Sequence, residues 1–175
     1  MAHKVAEQCY YIGIDMDDDN AVISYYKSGM REPETLSMIA GSEIYQIPVA
    51  LVKKRGIGQW FIGEEAKKMA LLQNEEVIDH LLSGAIEKKQ VTIENAVFEK
   101  EDLFVLYIKK LILFASRLGN PGLPDCLVVT VDALSRNITE LFTKVAEELG
   151  LNRSKLILMD RKESFYYFAY NQKQE

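Results

Sequence analysis

The chain has 175 residues, 48% hydrophobic and 27% charged, which is length and apolar content for one packed domain. Its net charge of −5, with no basic run longer than Lys53-Lys54-Arg55, excludes an unaided nucleic-acid or anionic-membrane surface. Cys9 and Cys126 form no CxxC pair, and His3 and His80 cannot build a clustered zinc site, so two free thiols in a reducing cytoplasm are expected.

In chain order, MAHKVAEQCYY lacks the apolar core of a signal peptide. Tyr10–Asp15 is short, apolar and β-prone, and Ala21–Met30 is β-rich again. Between them lies DMDDDN, and the arrangement predicts an antiparallel hairpin across a polar loop of four or five residues. Glu34–Ala40 is expected to add a third strand. From Gly41 to Lys100 no single period dominates, which suggests an inserted subdomain. Within it, IPVALVKK and QWFIG read as strands, GEEAKKMALLQ as a helix with Glu64 and Glu65 at its positive end, and Val91–Phe98 as one further strand.

The last third is clearer. Glu101–Leu118 is apolar on nearly all sides, as in a helix pressed between other elements, and Lys109-Lys110 interrupt it too early for a membrane span. GNPG stops it. Asp125–Val131 and Lys155–Asp160 read as buried parallel strands. Between them Asn137 and Glu140 suggest a capping box, and Ile138, Leu141, Phe142, Val145 and Leu149 follow helical spacing up to Gly150. Ser164–Tyr170 starts a closing helix. Three antiparallel strands followed by two parallel strands with helical crossovers predict an α/β, ribonuclease-H-like fold: a mixed five-stranded sheet with flanking helices. The expected core is residues 8–40 and 101–172, with the insertion at about 41–100.

YIGIDMDDDNAVISYY resembles the first phosphate loop of the actin-like and DnaK-type chaperone ATPases, which runs strand, Asp-x-Gly-Thr-Thr-Asn, strand. IPVALVKK with FIGEEAKKMA is similar to that family's strand pair and Gly-Glu/Asp-x-Ala-Lys helix, and CLVVTVDALSRNITELFTKVAEELGLNRSKLILMD to its strand–helix–strand unit. The resemblance covers essentially the whole chain but one lobe of a two-lobed fold. It implies an N-terminal lobe that contributes to an ATP and Mg²⁺ site when a second lobe is present. Asp15 would hold the metal's water shell, Asp17, Asp18 and Asp19 would be accessory, and Asn20 would fix the loop. The motif departs from the family where Asp17-Asp18-Asp19 replace Gly-Thr-Thr. Carboxylates there repel a triphosphate: like charges about 4 Å apart cost roughly 4 kcal/mol at an effective dielectric near 20, before screening. Near the last strand the family's Glu-Pro is missing, RKES offering only Glu163 or Lys162 in its place, and Asp79 and His80 fall where its catalytic lysine is sought.

The residues of DMDDDN leave four readings open. One is a solvated acidic turn. Another is the Mg-nucleotide loop just described. A third is a calcium loop using Asp15, Asp17 and Asp19, although Asn20 and Tyr26 stand where such a loop needs glycine and glutamate. The fourth is an Asp-x-Asp phosphotransferase with Asp15, Asp17 and Thr130. Trp60 and Phe61 are expected in the core of the insertion. Five aromatics, Phe165, Tyr166, Tyr167, Phe168 and Tyr170, exceed what one buried helix face needs and suggest an interface with a second lobe or a protein partner. The expected function is therefore the nucleotide-binding lobe of an actin-like ATPase with a degenerate loop, or alternatively a non-catalytic interaction or scaffold domain. No enzymatic activity is expected of the lobe by itself, and the expected location is the cytoplasm.

Overall fold

The computed structural model describes residues 9–118 and 122–172. The opening residues, His3 among them, and most of the GNPG stop lie outside this range. The first strand, β1 (Tyr10–Met16), alternates: Tyr10, Ile12, Ile14 and Met16 are buried, while Tyr11, Gly13 and Asp15 face the other way. It pairs antiparallel with β2 (Asn20–Lys27) from Tyr10↔Lys27 to Met16↔Ala21. The Asp17 N–H donates to the Asn20 carbonyl at 3.0 Å, so the hairpin closes more tightly than expected, with Asp18 and Asp19 at its tip.

The predicted third strand shrinks to β3 (Glu34–Thr35). Just beyond it the Ser37 hydroxyl bonds the Ile39 and Ile44 carbonyls and draws the chain into a loop. IPVALVKK is not one strand. Ile47–Pro48 (β4) joins the edge of β2, and Leu51–Lys53 (β5) turns away to pair with β6 (Trp60–Ile62). Gly63 then opens α1 (Gly63–Gln73) at φ +61°, where a Cβ would sit 3.0 Å from Ile47 Cγ2, so only glycine fits. A short helix, α2 (Leu81–Ile86), had no signature in the sequence reading. The stretch expected as one strand over Val91–Phe98 is instead a hairpin, β7 (Gln90–Ile93) and β8 (Ala96–Glu99). Its turn residues, Glu94 and Asn95, both have positive φ (49° and 66°), as a two-residue type I′ turn requires.

Helix α3 (Lys100–Leu118) buries Leu103, Phe104, Val105, Tyr107, Ile108, Leu111, Ile112 and Ala115. Phe104 meets Phe142 edge-on at 5.5 Å, joining it to α4 (Arg136–Glu148). The cap of α4 is Ser135, whose side chain accepts from the Ile138 N–H, so the expected Asn137/Glu140 box does not form. Strand β9 (Cys126–Val131) precedes α4, and β10 (Leu156–Asp160) follows it. The closing helix α5 (Arg161–Gln172) starts three residues earlier than expected, because the Asp160 carboxylate accepts the Glu163 N–H at 2.8 Å.

The strands form a mixed sheet in the order β10–β9–β1–β2–β3, with β4 on β2 as a sixth member. β9 and β10 run parallel to β1, and β2 runs antiparallel to it. Ile12, Ile14, Leu127 and Val129 on one sheet face share a core with α3 and α4. Leu51, Leu81, Leu82 and Ala85 from the 41–100 stretch belong to the same core, while Val52, Ala66 and Ala70 form a small second cluster. Trp60 packs partly buried against the main core, edge-on to Phe98 at 5.5 Å. Among the described residues no helix is long and apolar enough to cross a membrane.

Candidate functional site

Three parallel strands end side by side, and each delivers a charge at its carboxyl end. β1 brings Asp15 and, one turn residue on, Asp17. β9 is followed by Asp132, and β10 by Arg161. The carboxyl edge of parallel strands is where open α/β sheets gather ligand groups, because the chain leaves each strand there into a loop.

Arg161 sits opposite the acidic loop. Its Nε donates to Asp15 Oδ1 at 3.2 Å, its Nη2 to Asp17 Oδ2 at 3.4 Å, and its Nη1 to Asp132 Oδ1. One planar guanidinium thus ties together the ends of β1 and β9 from the first position of α5. Arg161 is 41% exposed and its partners 36–66%, so each pair is worth no more than about 1 kcal/mol. The network orients groups more than it stabilises the fold.

The loop also holds itself. Asp17 Oδ1 accepts the Asp19 N–H at 2.9 Å and the Asn20 N–H at 2.8 Å. The Asn20 N–H above all, and the Asp19 N–H and Arg161 besides, keep the Asp17 carboxyl below its usual range against the opposing effect of burial. Two N–H groups that an anion-cradling loop would offer to phosphate therefore already bind a carboxylate of the same loop. The Asp19 carbonyl accepts from Val49 N–H at 2.8 Å, fixing the tip to the segment after β4. The Asp19 side chain is exposed, and Asn20 enters through its backbone.

Asp18 points the other way, to the start of α2. It accepts from Ser83 N–H at 3.0 Å and Ser83 Oγ at 2.6 Å, and pairs with His80 Nδ1 at 2.9 Å. Burial pushes the Asp18 carboxyl up, but the Ser83 and His80 bonds outweigh it and its pKa is lowered. The Asp18 hydrogen bond, with Asp79 nearby, raises that of His80. His80 is held at φ +46°, and Lys100 Nζ donates to the Asp79 carbonyl at 2.8 Å beside it. Asp79 also lines a cleft of about 440 Å³ with Lys53, Glu94 and Lys100, in which Lys53 is paired with Glu94.

The five predicted loop residues therefore lie together, but they are shared between two corners. Asp15 and Asp17 face Arg161 and Asp132; Asp18 faces His80 and Ser83. Lys162 and Glu163 are exposed, and Arg161 makes the contact instead. Thr130 is the register partner of Asp15 and is 7% exposed, but β2 runs antiparallel from the loop, unlike the crossover an Asp-x-Asp phosphotransferase uses. Among the described residues no group of three or more His, Cys, Asp or Glu side chains is arranged to hold a metal ion.

Residues 32–175 match the family model described as "Family of unknown function (DUF5716) C-terminal". The chain belongs to this family. Asp132, Arg161, His80 and Ser83 fall inside the segment matched to DUF5716, whereas the acidic loop they hold, Asp15–Asn20, precedes it.

Arg161, Asp132 and Ser83 are the site residues that sequence reasoning missed. The one local signal for Arg161 was its position directly after an apolar strand, in RKES.

Proposed function

We propose that the chain is a lobe of the actin-like, DnaK-type class, with a ribonuclease-H-like sheet, in which the phosphate-loop position has become an internal ionic brace and the domain serves protein–protein interaction or scaffolding. Support for the fold comes from the sheet order β10–β9–β1–β2–β3, an antiparallel half and a parallel half joined at β1, with a helix between the two last strands. Fold alone carries no activity.

The observation that carries the functional reading is Arg161 bound to Asp15, Asp17 and Asp132. In the nucleotide reading Asp15 would face the water shell of Mg²⁺, and the loop N–H groups would face phosphate. Here Asp15 is already engaged by a guanidinium, and Asp17 occupies two of the loop N–H groups. Three carboxylates against one guanidinium also leave the corner negative, which disfavours a triphosphate. The residues do not fit ATP with Mg²⁺, and no catalytic step is assigned to them.

Isothermal calorimetry and thermal denaturation with Mg-ATP, on a two-lobed version in which a second lobe completes the cleft, test this reading. The expected result is no saturable heat and an unchanged melting temperature. Saturable binding that is lost on Asp15→Ala would restore the nucleotide-binding function.

A further inference from the structure

We propose that the sheet face turned away from α3 and α4 carries, around Gly13, a binding site for a small neutral polyhydroxyl ligand of monosaccharide size. Ile12, Ile14, Leu127 and Val129 point to the helices. The alternate residues build the other face, and the strand register lays them out in rows. Gly13 lies between Ser24 on β2 and Val128 on β9; in the next row Asp15 lies between Val22 and Thr130. Because Gly13 has no side chain, the face sinks there into a hollow of about 260 Å³, which Ser164 of α5 also lines. A Cβ on Gly13 would sit 3.0 Å from Ser24 Oγ, so any other residue narrows it.

Thr130 carries the argument. It lines the hollow and is only 7% exposed, yet among the described residues no hydrogen bond reaches its hydroxyl. Buried side-chain polar atoms nearly always have a partner, so a hydroxyl held in this way is placed to meet one in the hollow. The Ser24 and Ser164 hydroxyls line the same space and are likewise without a hydrogen bond among the described residues. Asp15 gives Oδ1 to Arg161 and keeps Oδ2 as a further acceptor at the rim.

These groups set the ligand class. Hydroxyls donate and accept while a carboxylate oxygen only accepts, so the complementary molecule bears several O–H groups. An anion is disfavoured by Asp15, Asp17 and Asp132 against the single Arg161, and Arg161 already supplies the cation that Asp15 takes. At about 30 Å³ per water the hollow has room for roughly nine waters, close to the bulk of one sugar ring. On its other side from Asp15, one row from Gly13 and Ser24, Tyr11 and Tyr26 stand with ring centroids 6.2 Å apart, aromatic surface suited to the C–H face of such a ring.

Backbone amide resonances of the chain, followed while D-glucose, D-galactose and D-ribose are each added to about 50 mM, test the proposal. The expected result is saturating shifts with at least one of the three, centred on Gly13, Ser24, Val128 and Thr130. Thr130→Val keeps the shape and removes the hydroxyl, and is expected to weaken that binding about tenfold with unchanged circular dichroism. Thr130→Ser, which keeps the hydroxyl, is expected to bind near wild type; Ser24→Ala is the second loss variant should Thr130→Val fail to fold. Shifts that stay linear with all three sugars mean that the hollow takes only water, and overturn the proposal. So do saturating shifts centred elsewhere, or undiminished binding by a folded Thr130→Val. The Mg-ATP result concerns another ligand on a two-lobed version, so the two readings fail separately.

Discussion

Arg161 Nε lies 3.2 Å from Asp15 Oδ1, a contact that joins the start of the last helix to the end of the first strand across 146 positions of sequence. Because the same guanidinium reaches Asp17 and Asp132, the contact holds the carboxyl edge of the sheet as a unit. Arg161→Met should lower unfolding free energy by about 1 kcal/mol in urea titrations, since the pairs are exposed. Arg161→Lys should recover less than half of that, because an ammonium cannot span three carboxylates as a planar fork does. Full recovery by lysine would show that charge alone matters.

The pH dependence has two limbs with opposite signs. The Asp17 and Asp18 carboxyls lie below their usual 3.8, so their contribution is full above that value and is lost as pH falls through the folded-state values. His80 lies above its usual 6.5, so its contribution is full below 6.5 and is lost as pH rises through the raised value. Melting temperature against pH should show both limbs. His80→Gln should flatten the upper limb and leave the part of the acidic limb due to Asp17; an unchanged upper limb would remove the His80–Asp18 pair from the account.

At the hairpin tip, Asp17→Ala removes the acceptor for two N–H groups, whereas Asp17→Asn keeps an oxygen there. The alanine variant should lose about 1 kcal/mol and the asparagine variant clearly less. Amide exchange at Asp19 and Asn20 should accelerate in the first and stay near wild type in the second. Equal exchange in both would mean that the turn does not depend on this side chain.

Elements defined by continuous apolar runs were legible in sequence: β1, β9, β10 and α3 appear within a residue or two of expectation. Short elements were not. Leu81–Ile86 spans too few turns to show a period, and Glu94-Asn95 lacks the glycine that flags a type I′ turn. Asn137 was a plausible cap by composition, but Ser135 precedes it and reaches Ile138 N–H first. The loop carboxylates were visible from their density. Their partners were not, because Arg161, Asp132, His80 and Ser83 come from distant segments that only the tertiary fold brings to the strand ends.

The hydroxyl of Tyr107, fully buried in α3, donates to the Pro48 carbonyl at 3.2 Å and ties the central helix to β4. Burial raises its pKa, so it stays a neutral donor. Tyr107→Phe should cost about 1–3 kcal/mol, the penalty of leaving a buried carbonyl unpaired. A smaller loss in urea titrations would mean that the carbonyl finds another donor.

Central to the account is that the acidic loop is held from within rather than by a ligand. The most direct measurement follows the backbone amide resonances of Asp15–Asn20 while Mg²⁺ is added to about 10 mM. The account predicts small shifts that never saturate, with the Arg161 side chain still in contact with Asp15. Saturating shifts at Asp15 and Asp17, together with release of Arg161, would contradict it.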